Sequence, residues 1–154
     1  MSVMQQLWRP TRTLLGLLLR RPILGTSIIP VLPNGQIVLI QRRDSGLWGL
    51  PGGIVDWGED IPTAAKRELA EETGLKLLSV GRLVGIYSAP QRDPRFHAVC
   101  VALEAQVDGR FQIFDTAEIM DVKAFALEEI PLDDLAHDHT QQLQDYLSGK
   151  VVLA

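Results

Sequence analysis

Glu68, Glu71 and Glu72 are spaced for joint chemistry. On a helix, separations of three and four residues bring all three carboxylates to one face. Each like-charged pair so spaced costs an isolated helix about 0.2–0.5 kcal/mol. The cluster also lies toward the C-terminal end of its helix, where the backbone dipole disfavours anions. Local stability gives no reason for such a cluster. A hard divalent cation does, because carboxylate oxygens suit Mg²⁺ or Mn²⁺. Glu59 supplies a fourth carboxylate ahead of the helix, and Arg67 adjoins Glu68 closely enough to reach the cluster from the side. Gly52 and Gly53 let a bound group approach main-chain atoms. The plain alternative for Glu68–Glu72 alone is a solvated acidic face.

The helix that must carry these groups has clear ends. Asp60 is its N-cap, Pro62 fits its first turn and Gly74 its C-terminal cap. Ala65 and Leu69 lie opposite the acids and can pack on a sheet. Thr26–Leu32 and Gln36–Gln41 read as strands around the turn Pro33-Asn34-Gly35, and Ile54–Trp57 as a short strand. Beyond the helix, Leu77–Tyr87 and Phe96–Val107 are expected as long strands. Arg110–Phe114 and Ile119–Ala126 are expected as shorter ones, and Leu132–Leu147 as a last helix. Strands, helix, strands and helix in that order predict an α/β fold, a mixed central sheet covered by helices.

The chain of 154 residues suits one domain, and its 46% hydrophobic and 22% charged residues are those of a globular protein. A net charge of −4 provides no general basic field, so no nucleic-acid partner is expected. The single cysteine, Cys100, lies in an apolar run and reads as core. It cannot form an internal disulfide, which fits a reducing, cytoplasmic setting. Residues 1–25 form a separate expectation. Leu7, Trp8, Leu14, Leu15, Leu18 and Leu19 recur at helical spacing, with Arg9 and Arg12 off the stripe. The apolar stretch is too short to span a bilayer, and Arg20-Arg21 stands where a signal-peptide cleavage site should be. The segment is expected as an amphipathic helical extension of a domain over 26–154. It docks on its own domain or in a homodimer, the alternative being contact with a membrane surface.

The whole string Gly53–Leu75, GIVDWGEDIPTAAKRELAEETGL, resembles the Nudix box. Its defining positions are filled by Gly53, Glu59, Arg67, Glu68, Leu69, Glu71, Glu72, Gly74 and Leu75. Chance agreement at average residue usage is on the order of 10⁻⁷. The lead-in Leu47–Gly53 and the basic end of Ile37–Arg43 are also similar to that family. The resemblance implies an α/β/α sandwich and Mg²⁺ or Mn²⁺ held by Glu68, Glu71, Glu72 and the Gly52 carbonyl. It implies that Arg67 orients the glutamates and that Gly53 and Glu59 support the site. It implies hydrolysis of a phosphoanhydride in a small nucleotide substrate, with a carboxylate taking the proton of the attacking water. Glu68 is one candidate for that role, and Glu118, between two strands, is a second.

Ser88–His97 carries the substrate expectation. Arg92 and Arg95 are candidate clamps for phosphates. Pro90 resembles a marker of ADP-ribose pyrophosphatases. Trp48 is a candidate stacking platform for a base, its alternative being packing beneath the loop. His137 and His139 lack partner cysteines, and no zinc site is expected. ADP-ribose hydrolysis is the leading expectation. Cleavage of an oxidised or ordinary nucleoside triphosphate, and a non-catalytic nucleotide-sugar sensor, are the alternatives.

Overall fold

A computed structural model describes residues 21–154. Most of the expected N-terminal extension, residues 1–20, lies outside the described residues. Strand β1 (Ile23–Val31) begins three residues before the expected domain boundary. It is followed by β2 (Ile37–Arg42), β3 (Trp48–Gly49) and β4 (Gly52–Ile54). Helix α1 (Ile61–Thr73) precedes β5 (Lys76–Tyr87), β6 (Ala98–Asp108) and β7 (Ile119–Phe125). Helix α2 (His139–Leu147) and β8 (Val152–Leu153) complete the chain.

One mixed sheet runs β3-β2-β1-β6-β5-β8, with β4 also on β1 and β7 also on β2. The pairs β1–β6 and β5–β8 are parallel. The pairs β1–β2, β1–β4, β2–β7 and β5–β6 are antiparallel. Both sheet faces are covered, which explains the apolar run Ile37–Ile40 in β2 and the burial of Thr26–Pro30 in β1. Successive side chains of a strand point to opposite faces. Ile28 and Val38 therefore join Ala65 and Leu69 of α1 in one core. Ile29, Ile37 and Leu39 join Leu143 of α2 in the other. The result is an α/β/α sandwich.

The caps of α1 form as expected. Asp60 accepts a hydrogen bond from the Thr63 N–H at 2.8 Å, and Gly74 closes the helix in a left-handed conformation. Two expectations are corrected. Arg110–Phe114 forms no strand. It runs along the end of α1, where the Gln112 N–H meets the Thr73 carbonyl and the Phe114 and Asp115 N–H groups meet the Glu71 carbonyl, each at 2.9 Å. The last carbonyls of a helix lack internal partners, and this segment provides them. The last helix starts at His139, not Leu132. Residues ahead of it are drawn to β3 through the Ala136 N–H and the Trp48 carbonyl at 2.8 Å, and His137 has a positive φ of 54°.

Candidate active site

The turn before β4 and the acid face of α1 meet closely. Gly52 has a φ of 152° and donates its N–H to Glu72 Oε2 at 2.8 Å. A Cβ on Gly53 would sit 2.3 Å from Glu68 Oε1, so a larger residue here would push aside the carboxylate that Arg67 holds. Arg67 organises the rest. Its Nε and Nη2 donate to the two oxygens of Glu59 at 2.8 and 2.9 Å, and Nη1 donates to Glu68 Oε1 at 2.8 Å. Nη2 also donates to the Ile54 carbonyl at 3.1 Å, and Glu71 Oε2 lies 3.6 Å from Nη1. The hydrogen bonds from Arg67 hold the Glu59 carboxyl down at about 2.

Glu68 and Glu72 shift the opposite way from Glu59. Burial raises the pKa of Glu68, and it pushes Glu72 up to about 8. Glu72 is only 3% exposed, and its one hydrogen bond among the described residues comes from the Gly52 N–H. A buried carboxylate without a cationic partner is costly. A divalent cation would remove that cost, and in this sense the donor set fits one. As they stand, no three metal-ligating side chains converge on one point among the described residues. The cause is visible: Glu68 is drawn toward Arg67 and Glu72 toward Gly52. Binding a cation requires these carboxylates to turn.

Glu118 belongs to the same neighbourhood, since its charge helps to raise both Glu68 and Glu72. Its backbone is held by the Arg43 N–H, which donates to the Glu118 carbonyl at 2.8 Å. Arg43 Nε also donates to the Thr116 carbonyl at 3.0 Å.

The fold is that of solved Nudix structures, and a NUDIX domain family profile matches residues 21–146. The chain belongs to the Nudix family. It is a Nudix hydrolase with ADP-ribose pyrophosphatase-like relatives. An ADP-ribose pyrophosphatase of Methanocaldococcus jannaschii is 37% identical over 76% of this chain and 69% of its own length. A Bacillus subtilis protein provisionally named an 8-oxo-dGTP diphosphatase is 30% identical over 81% of this chain and 80% of its own. Among solved structures, the NUDIX domain of Shewanella oneidensis NrtR, complexed with ADP-ribose, matches with a TM-score of 0.73. Its identity is 27% over 84% of this chain and 88% of that one. The family generally uses divalent metal ions.

Beside the acid face of this Nudix hydrolase opens a pocket lined by Gly52 and Gly53 at one end and by Arg92, Arg95, His137 and His139 elsewhere. Sequence reasoning placed both arginines near the site, and both line the pocket. Neither is a free phosphate clamp. Arg92 is bound to both oxygens of Asp138 at 2.9 and 2.8 Å, and Arg95 to both oxygens of Asp93 at 3.0 and 2.8 Å. Arg42, a third lining arginine, grips Asp44 at 3.0 and 2.7 Å. Trp48 follows the packing alternative here. It does not line the pocket but packs edge-on against Phe125, with ring centroids 5.1 Å apart. Asp93 and the two histidines were not foreseen as pocket residues, nor Asp138 as the partner of Arg92. Asp138 and the two histidines stand together at 137–139, and Asp93 lies in the Ser88–His97 stretch.

Proposed function

We propose that this Nudix hydrolase cleaves ADP-ribose to AMP and ribose 5-phosphate. One observation carries the reading: each arginine of the pocket is already neutralised by its own aspartate. A pocket so balanced suits an uncharged sugar or base at the end of a diphosphate better than a further phosphate, which calls for free cations. The similarity to the Methanocaldococcus jannaschii ADP-ribose pyrophosphatase supports the same choice.

Glu68, Glu71, Glu72 and the Gly52 carbonyl would hold Mg²⁺ or Mn²⁺. When bound, the ion would neutralise the diphosphate and make water a better nucleophile. Arg67 holds the carboxylates of Glu59 and Glu68 in the metal-free protein, and Glu68 would turn from it to meet the ion while Glu59 keeps Arg67 in place. The attacking water adds to one phosphorus, the bridging P–O bond breaks, and the water gives up a proton. Glu118 is the acceptor we assign. Glu68 and Glu71 face Arg67 and Glu72 is tied to Gly52, whereas the Glu118 carboxylate makes no hydrogen bond or ion pair among the described residues.

The test is a substrate panel with Mg²⁺ and product identification. ADP-ribose should exceed every nucleoside triphosphate in kcat/KM. A tenfold or greater preference for 8-oxo-dGTP would replace this reading with the one that the Bacillus subtilis relative favours. Absence of turnover on any nucleotide would leave the sensor.

A further inference from the structure

The pocket wall contains a histidine whose state the fold dictates. His139 is 8% exposed, and its Nδ1 accepts a hydrogen bond from the Leu50 N–H at 3.0 Å. A ring nitrogen that accepts carries no hydrogen, so the neutral imidazole bears its hydrogen on Nε2. Burial holds the ring neutral, far below the usual histidine range. Nε2 has no acceptor among the described residues, yet no buried side-chain nitrogen is left sealed without a partner. The open edge of the ring therefore meets the pocket that His139 lines.

The neighbouring residues reinforce this placement. Asp138 holds Arg92 through Nε and Nη2, so Nη1 is the guanidinium nitrogen left over. Gln142 donates to Asp138 at 3.1 Å and accepts from Ser27, which ties the turn to β1. His137, at a positive φ, holds the turn in a conformation that a residue with a side chain rarely adopts. On this wall His139 Nε2–H and Arg92 Nη1 are donors left over, whereas the Asp93 carboxylate is already engaged by Arg95. Ile23, Leu50 and Phe96 supply apolar and aromatic surface around them. A sugar hydroxyl asks for an acceptor as well as a donor. A nucleobase offers ring-nitrogen acceptors and a flat apolar face.

We propose that His139 is the base-reading residue of this pocket, donating its Nε2–H to an acceptor nitrogen of the substrate's nucleobase. The proposal rests on a nucleotide substrate, as above, but not on cleavage of ADP-ribose in particular.

The test uses the full-length protein with Mg²⁺ and measures binding of AMP and of its 1-deaza, 3-deaza and 7-deaza analogues by calorimetry. One deaza analogue should bind the wild-type protein about tenfold more weakly than AMP, the worth of one hydrogen bond. That difference should vanish in His139→Leu. It should also shrink in Gly49→Ala, where the added Cβ would lie 2.7 Å from Nδ1 and displace the ring while keeping it. Ribose 5-phosphate binding should not change in either variant. Equal binding of AMP and all three analogues to the wild type overturns the proposal. So does a deaza penalty that persists undiminished in either folded variant. Failure of ADP-ribose turnover with an intact deaza penalty would reject the proposed reaction and keep the base-reading role.

Discussion

Glu72 is the side chain on which the metal proposal can be tested most directly. Burial makes its charged form costly, and its one hydrogen bond comes from a backbone N–H. Glu72→Gln keeps the size and an oxygen to accept that N–H but loses the charge. It should lower kcat by orders of magnitude while the melting temperature in chelator stays level or rises. Steady-state turnover and a thermal melt check both halves, and retained activity refutes the metal assignment. Arg67→Lys is the complementary case. A guanidinium holds Glu59 with two parallel hydrogen bonds and still reaches Glu68, whereas an ammonium is a point charge. We expect roughly 10- to 100-fold weaker Mg²⁺ activation, the usual cost of losing an outer-shell partner. A Mg²⁺ titration of activity in which the variant matches the wild type would refute it. The glutamates and Arg67 were legible in the sequence because one short helix and the turn before it carry them all. Asp138 and Asp93 were not, because their partners Arg92 and Arg95 were read as free to serve the substrate.

At the scale of elements, the acid face depends on where α1 begins and ends. Asp60 sets the start through the Thr63 N–H. Asp60→Ala should lower the melting temperature by roughly 2–4 °C, the effect of losing one cap in a domain of this size. Asp60→Asn should recover most of it. A calorimetric melt showing no loss in the alanine variant would mean that packing of Ala65 and Leu69 alone fixes the helix. Its caps were readable because capping is local chemistry. Arg110–Phe114 was misread for the converse reason: its apolar residues suggest a strand, but Phe111 and Phe114 are exposed and its N–H groups serve the end of α1. Leu132–Leu147 was read as one helix because its leucines keep a helical period. The first of them precede α2 and pack against the core from a turn.

At the scale of the molecule, a polar group buried at the edge of the core affects the stability of the whole. His139 is such a group. Its folded pKa is depressed by burial to about 3, against about 6.5 in an unfolded chain. Between those values the unfolded chain binds a proton that the folded one refuses, so stability falls as pH falls. The full contribution is present above about 6.5, and the loss approaches about 1.4 kcal/mol per pH unit within the window. Glu72 works the other way in the metal-free protein. Its folded pKa is raised to about 8 from 4.5, so it favours the folded state as pH falls through that range. Where the two windows overlap they oppose each other, and a single melting curve does not separate them. The comparison with His139→Gln does, because glutamine keeps an acceptor for the Leu50 N–H and does not titrate. Denaturant melts of the two proteins in chelator, from pH 7 down to pH 4, should diverge steadily, with the wild type losing stability faster. Parallel curves would show that His139 takes up its proton in the folded state, and the ring would then not be the neutral donor that its bond to Leu50 implies.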